Sequence, residues 1–403
     1  MKRVNAVQLT LVILVWGTLL ALPLMGMAPN RILTPKGQYL LSDIGGTPLT
    51  MLLLLVVLLS MSVLLSSRQW FSSEKLTNGL IYLLSGATVT YLCWFAGDFA
   101  TTNVEHVARV RCSFGAGFWA LLLLLWLMSL EAIRLLVGNP LHSTVLAVAF
   151  WLPLVVLTGE SHFQHLSLFI EYKANRDAFD NAFWVHCQIV LLTLVLTIVI
   201  GLWLGIRSYR SPAFGRACLS TLSLLQTIPS IALFGLLLAP LSYLTKQLPF
   251  LSDLGISGIG MTPAIIALLL YSLLPMVRST QTGLKQVSPL MLEAAYGMGM
   301  SHFQCLWKIH FRLALPVILS GLRITTVQAI GLTMVAALIG AGGFGAIMFR
   351  GLSGSAIDLV LLGVIPVVIM AAVADTFFKL LVHLTDPTLK AGNTAPAQGG
   401  NSQ

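Results

Sequence analysis

Glu293-Ala294-Ala295-Tyr296-Gly297-Met298-Gly299-Met300 occupies a polar interval between two long apolar segments, residues 262–280 upstream and 316–339 downstream. Segments of about 20 apolar residues match the thickness of bilayer hydrocarbon. The octapeptide is therefore a short structured element held outside a membrane, on a chain that crosses that membrane before and after it.

The rest of the chain agrees. Of its 403 residues 57% are hydrophobic and 9% charged, with a mean hydropathy of +0.89, where a soluble domain carries roughly a quarter of its residues charged. Apolar runs cover residues 7–27, 48–65, 77–97, 115–136, 143–158, 183–206, 214–240, 262–280, 316–339 and 357–384, the fifth being short. Backbone polar groups in lipid must be satisfied within the segment, so runs of this length are read as helices; none alternates like a barrel strand. The expected fold is all-α, a polytopic membrane protein of about ten helices. The first run follows Lys2 and Arg3 and passes Pro23, longer than a signal-peptide core, and is expected to be an uncleaved anchor.

Basic residues orient the chain. With the N-terminus inside, Arg134, Arg207, Arg210, Arg216, Arg278, Lys285, Lys308, Arg312 and Lys379 fall on the cytoplasmic side, while Lys36, Arg111, Lys173, Arg176, Lys246 and Arg350 fall outside. Acids lean outward, with Asp43, Asp98, Glu171, Asp177, Asp180 and Asp253 in external loops. The net charge of +9 then reads as orientation and lipid contact, with no nucleic-acid partner. Four segments are expected: 1–158, a membrane anchor region of about five helices; 159–182, a polar periplasmic connector; 183–386, a membrane core whose cytoplasmic loop spans 283–315; and 387–403, a disordered tail.

The five cysteines have no CxxC spacing and read as small core hydrophobes. His162 and His165 share a helical face but lack a third ligand, so no metal is expected. Gln226-Thr227-Ile228-Pro229-Ser230 interrupts an apolar run, where Pro229 frees the Leu225 carbonyl, and Pro275 repeats the device in the next helix. Either neighbouring helices seal these breaks, or Gln226, Thr227, Pro229, Ser230 and Pro275 line a translocation path. Arg323 and Asp375 sit inside apolar runs. They pair as a gate or anchor, or snorkel separately to the inner headgroups, the latter being the simpler expectation. Glu131 and Arg134, three residues apart, form a local ion pair.

In the knob itself, Ser288-Pro289 starts a helix that carries Glu293, and Gly297 and Gly299 stop it. Ser301-His302-Phe303-Gln304 opens a second helix with a capping box, whose face carries Phe303, Leu306, Trp307 and His310. From these residues alone, docking of a partner and contact with the inner leaflet are equally supported.

Glu293-Ala294-Ala295 followed after three residues by Gly299 resembles the EAA loop of ABC-importer permeases. The segments Gln226-Thr227-Ile228-Pro229-Ser230, Tyr271-Ser272-Leu273-Leu274-Pro275, Leu315-Pro316-Val317-Ile318 and Ala336-Ala337-Leu338-Ile339-Gly340-Ala341-Gly342-Gly343 follow the order of the family's osmoprotectant branch, the glycine betaine and choline type. The likeness covers residues 184–386. It implies a type I importer core of five helices, with Glu293, Ala294, Ala295, Gly299, Phe303 and Trp307 as the contact for a separate cytoplasmic ATPase. It further implies a periplasmic solute-binding protein, a second permease copy or a relative of it, and a multi-pass place in a bacterial inner membrane.

One feature departs from the family, whose usual Ile-x-Leu-Pro unit is here Ile309-His310-Phe311-Arg312. Without that proline the second knob helix is free to continue toward Leu315-Pro316. The chain has no G-x-x-x-x-G-K-[ST] loop, so ATP and magnesium are expected to belong to the partner, with no cofactor and no catalytic residue in this chain. The rival readings are an ion-coupled secondary transporter, which would want buried mid-membrane carboxylates, and a membrane enzyme, which would want clustered His, Asp or Glu.

Overall fold

The computed structural model describes residues 5–30, 33–44, 46–66, 74–106, 110–159, 162–253 and 256–385. Lys2, Arg3 and the tail expected to be disordered lie outside the described residues. The chain divides into two compact units, Met1–Asn175 with Gly354–Asp358, and Arg176–Ser353 with Leu359–Gln403.

The first unit contains α1 (Ala6–Ala21), α2 (Thr47–Ser66), α3 (Glu74–His106), α4 (Ala116–Leu136), α5 (Pro140–Ala149), α6 (Leu152–Gly159) and α7 (Ser167–Ala174). Asn5 caps α1 by accepting from the Val7 amide. That helix stops at Ala21, ahead of Pro23, so the apolar run expected to be helical through residue 27 is not. Its last part becomes a strand, β1 (Met25–Ala28), between β2 (Lys36–Gln38) and β3 (Arg111–Phe114) in an antiparallel sheet ordered β2-β1-β3. These strands are three or four residues long and were not expected. Burial in the sheet pushes the Cys112 thiol up to about 11, so it stays protonated and inert.

Helices α1–α4 share one apolar core that includes Val15, Leu19, Val63, Leu92, Leu125 and Met128. Side-chain hydrogen bonds cross it: Gln8 Nε2 donates to Asn78 Oδ1 at 3.0 Å and Trp16 Nε1 to Ser60 Oγ at 3.0 Å. In membrane helices such bonds are worth about 0.6 kcal/mol each, so they set register more than stability. The expected Glu131–Arg134 pair forms at 2.7 Å, and Asn5 Nδ2 joins it from the start of α1. All five cysteines are free, with Cys93, Cys112 and Cys305 buried. His162 stacks on Trp94, and its Nε2 lies 2.8 Å from the Trp94 carbonyl. Among the described residues no group of three potential ligands comes together.

The second unit contains α8 (Arg176–Arg210), α9 (Pro212–Thr227), α10 (Ser230–Gln247), α11 (Phe250–Asp253), α12 (Met261–Lys285), α13 (Pro289–Gly297), α14 (His302–Cys305), α15 (Phe311–Ala336), α16 (Phe344–Ser353) and α17 (Ile357–Thr385). The buried stripe of α8 carries His186, Thr193, Thr197, Gly201, Gly205 and Ser208, while Leu191, Val195, Val199 and Trp203 are exposed. Apolar outside and small or polar inside is the pattern of a helix whose outer solvent is lipid. Gly201 and Gly205 lie against α12 so closely that a Cβ would stand 2.6 Å from Met276 Cγ and 2.5 Å from Thr280 Cβ. Buried threonine hydroxyls return to their own helices, Thr197 to the Thr193 carbonyl and Thr325 to that of Gly321.

Eight helices among the described residues are long and apolar enough to cross a membrane, and one bent pair makes a ninth. The short fifth run counts as a span once α5 and α6 are taken together, 20 residues from Pro140 to Gly159. Helix α1, at 16 residues, is apolar but shorter.

Candidate coupling site and broken helices

Helix α12 ends at Lys285, and the chain turns at once into the Glu-Ala-Ala segment. Ser288 stands at the N-cap of α13 without a side-chain cap bond, a correction to the capping role read from sequence; Pro289 at the first helical position supplies the start. Glu293 and Ala294 face outward and Ala295 is fully buried. The helix closes at Gly297, and Gly299 at φ +80° makes the turn in a conformation that a side chain strains.

The expected capping box at Ser301 and Gln304 is present in both directions. Helix α14, however, does not end as a separate short helix. Its backbone widens into one π-helical turn over Leu306–His310, with the Phe311 amide donating to the Leu306 carbonyl, and continues into α15. Arg312, at the position where the family usually carries proline, retains its N–H, and the proline comes four residues later, where Pro316 inside α15 leaves the Arg312 carbonyl without a helical donor.

Beside the outward-facing Glu293, the knob exposes a group of large apolar side chains. Phe303 is 69% exposed and Trp307 49%, side by side with ring centroids 6.1 Å apart and planes tilted at 58°. Leu290 at 75%, Met291 at 52% and Met298 at 71% extend the surface, three residues not read as contacts from the sequence. The available signal was their density: three large apolar side chains in a helix and turn too short to bury them.

At the broken helices the structure separates two prolines that sequence treats alike. At Pro229 the helix stops outright: α9 ends at Thr227, α10 begins at Ser230, and their axes differ by 101°. The Leu225 carbonyl is taken by the Ile228 amide at 3.3 Å, and α10 continues past Pro240 to Gln247. Pro275, by contrast, lies inside an unbroken α12, correcting the expectation of two consecutive broken helices. Lacking an N–H, Pro275 leaves the Tyr271 carbonyl without a helical donor, and Gln226 Nε2 donates to it at 2.7 Å. The Tyr271 hydroxyl in turn donates to the Ile228 carbonyl at the break. Thr227 bonds back to the Leu224 carbonyl, and Thr227 and Pro229 are exposed. Ser230 is half-buried at the first turn of α10.

Arg323 and Asp375 do not snorkel separately. Arg323 Nε donates to Asp375 Oδ1, while Lys379 Nζ lies 2.8 Å from Oδ2, tying α15 to α17. A further buried group carries no sequence signal of its role: His186 Nε2 lies 3.2 Å from the Ile330 carbonyl, joining α8 to α15.

Compared with known proteins, the chain is 41% identical over 201 residues to the osmoprotectant import permease protein OsmW of Salmonella typhimurium, an alignment covering 50% of this chain and 88% of that one. The chain belongs to the binding-protein-dependent transport system inner membrane components. That family's model matches residues 197–391, and the model described as the N-terminal domain of the ABC transporter permease YehY matches residues 2–169. Other members are similar too. The carnitine transport permease protein OpuCB of Listeria monocytogenes is 35% identical over 208 residues, covering 51% of this chain and 88% of the relative. The glycine betaine/carnitine/choline permease protein OpuCB of Bacillus subtilis is 34% identical over 190 residues, 47% of this chain and 80% of the relative. As a member of this family the chain is a multi-pass inner-membrane transport component.

Proposed function

We propose that this chain is the transmembrane permease of an ATP-driven importer that carries a small osmoprotectant of the quaternary-ammonium class, such as glycine betaine, carnitine or choline. The solute class rests on the names borne by the relatives, which cover these three compounds and osmoprotectants in general. The observation that carries the mechanism is the knob between α12 and α15: a helix, a left-handed glycine turn and a capped second helix that together expose Glu293, Met298, Phe303 and Trp307. A surface of that kind suits a groove on another protein.

In this reading a separate cytoplasmic ATPase binds ATP and magnesium and receives the knob. Ala294 allows close approach, Ala295 anchors the helix from beneath, Gly299 sets the turn, and Phe303 and Trp307 fill apolar space. A solute-binding protein delivers cargo on the opposite side, and a second permease subunit completes the path. The bend at Pro229, with Gln226, Thr227, Ser230 and Pro275 around it, is the part of the chain placed to change shape as the path opens.

The test is Glu293→Lys. The variant should insert normally and lose both copurifying ATPase and uptake of radiolabelled betaine, choline or carnitine. Unchanged ATPase retention and unchanged uptake would remove the coupling assignment.

A further inference from the structure

The knob must pass movement into the membrane helices, and α13 and α14 touch the bilayer segments at few points. One of those points is a buried polar cluster. His310, the last residue of the π-helical turn, is 5% exposed. Its Nε2 lies 3.0 Å from the Tyr209 hydroxyl, one residue before the end of α8, with the two rings 5.6 Å apart at 64°. Its Nδ1 lies 3.4 Å from the Cys305 carbonyl and 3.9 Å from the Cys305 sulfur.

A carbonyl only accepts, so the arrangement suits a ring that donates from Nδ1 and accepts at Nε2 from the Tyr209 hydroxyl. The ring is thereby fixed from both sides. The π turn produces this geometry: its extra residue per turn rotates His310 inward, where an α-helical continuation would carry the side chain to a different azimuth. His310 also falls within Ile309-His310-Phe311-Arg312, where this chain departs from the usual Ile-x-Leu-Pro unit.

A second pair of the same kind lies between α13 and α14. Tyr296, near the end of α13, has its hydroxyl 3.0 Å from His302 Nδ1 at the start of α14. The route from the Glu-Ala-Ala helix thus runs through Tyr296–His302, along the capped α14 and the π turn, and through His310–Tyr209 into α8. From the end of α8 it reaches α12, since Gln281 Nε2 donates to the Ser208 carbonyl at 3.0 Å.

We infer that Tyr209 and His310 are positioning residues for transport: their hydrogen bond is the joint through which displacement of the ATPase-docking knob is passed to α8. The inference rests on the coupling role proposed above for the knob. His310 is buried and Tyr209 half-buried, so breaking the joint should leave the exposed docking face intact and make ATP turnover less productive.

Tyr209→Phe removes one oxygen and keeps the ring packing, and His310→Gln removes the imidazole. The test uses the full permease copurified with its ATPase in proteoliposomes with the binding protein, comparing ATP hydrolysed with radiolabelled glycine betaine accumulated. For either variant the ATP consumed per solute should rise about two- to tenfold, the factor expected from one net hydrogen bond, and the double variant should be no worse than the singles. A second, solute-independent measurement is hydrogen exchange on the same complex with and without vanadate-trapped nucleotide. In the unaltered protein, protection should change at both the knob and residues 205–210; in Tyr209→Phe it should change at the knob alone. Parallel loss of uptake and hydrolysis, or an unaltered response of residues 205–210, overturns the joint. An unaltered chain that retains no ATPase overturns the coupling reading and the joint together, so the two failures are distinct.

Discussion

Gln226 is half-buried and ordinary in isolation, yet it answers a defect 45 positions away, the carbonyl that Pro275 leaves without a donor. Replacing it with leucine strands that carbonyl in an apolar setting at a cost of about 1–2 kcal/mol, visible as a lower unfolding midpoint in detergent. Adding Pro275→Ala to Gln226→Leu returns an N–H to α12 and should recover most of the loss; no recovery would show that Gln226 acts otherwise. Both prolines and the polar side chains around the first were legible in the sequence. Their mutual service was not, because nothing local to either segment says which neighbour will supply the missing partner. The same holds for Arg323 and Asp375, whose pairing the simpler snorkelling expectation missed.

Among the elements, the most informative are the ones that bend or touch. The break between α9 and α10 turns the chain by 101°, and its Pro229 side chain is exposed. Pro229→Ala gives the segment back an amide and favours a straighter helix, so transport should fall more than membrane expression does. Equal loss in uptake assays and in immunoblots would return this proline to a folding role. Packing of α8 on α12 should be as sensitive: Gly205→Leu forces atoms into the space held by Thr280, and overpacking of this sort costs about 1–3 kcal/mol. A variant that retains the wild-type midpoint would show that the helices part easily. Spans, the capping box at Ser301 and Gln304 and the glycine turn were readable because each depends on adjacent residues. The π turn was not, since an extra residue in one turn has no local signature and arises from where His310 and Phe311 pack.

For the whole molecule, hydropathy and charge were enough to give the class, and the ordered motifs from Gln226 to Gly343 were enough to give the family. The small sheet was beyond reach, because β3 pairs with β1 only after two long helices have intervened and each strand spans three or four residues. Since residues 176–353 form one compact body together with α17 from Leu359 onward, a chain beginning at residue 176 should insert and retain copurifying ATPase. Failure to retain it, with normal insertion, would assign part of the docking to the first unit. The paired prolines also bear on the order of synthesis. Helices α9 and α10 leave the ribosome before α12, and until Tyr271 arrives the amide of Gln226 and the carbonyl of Ile228 have no partner in that neighbour. Unsatisfied polar groups cost several kcal/mol each in hydrocarbon. The bent element is therefore a finished unit only once the helix that carries Tyr271 has been translated.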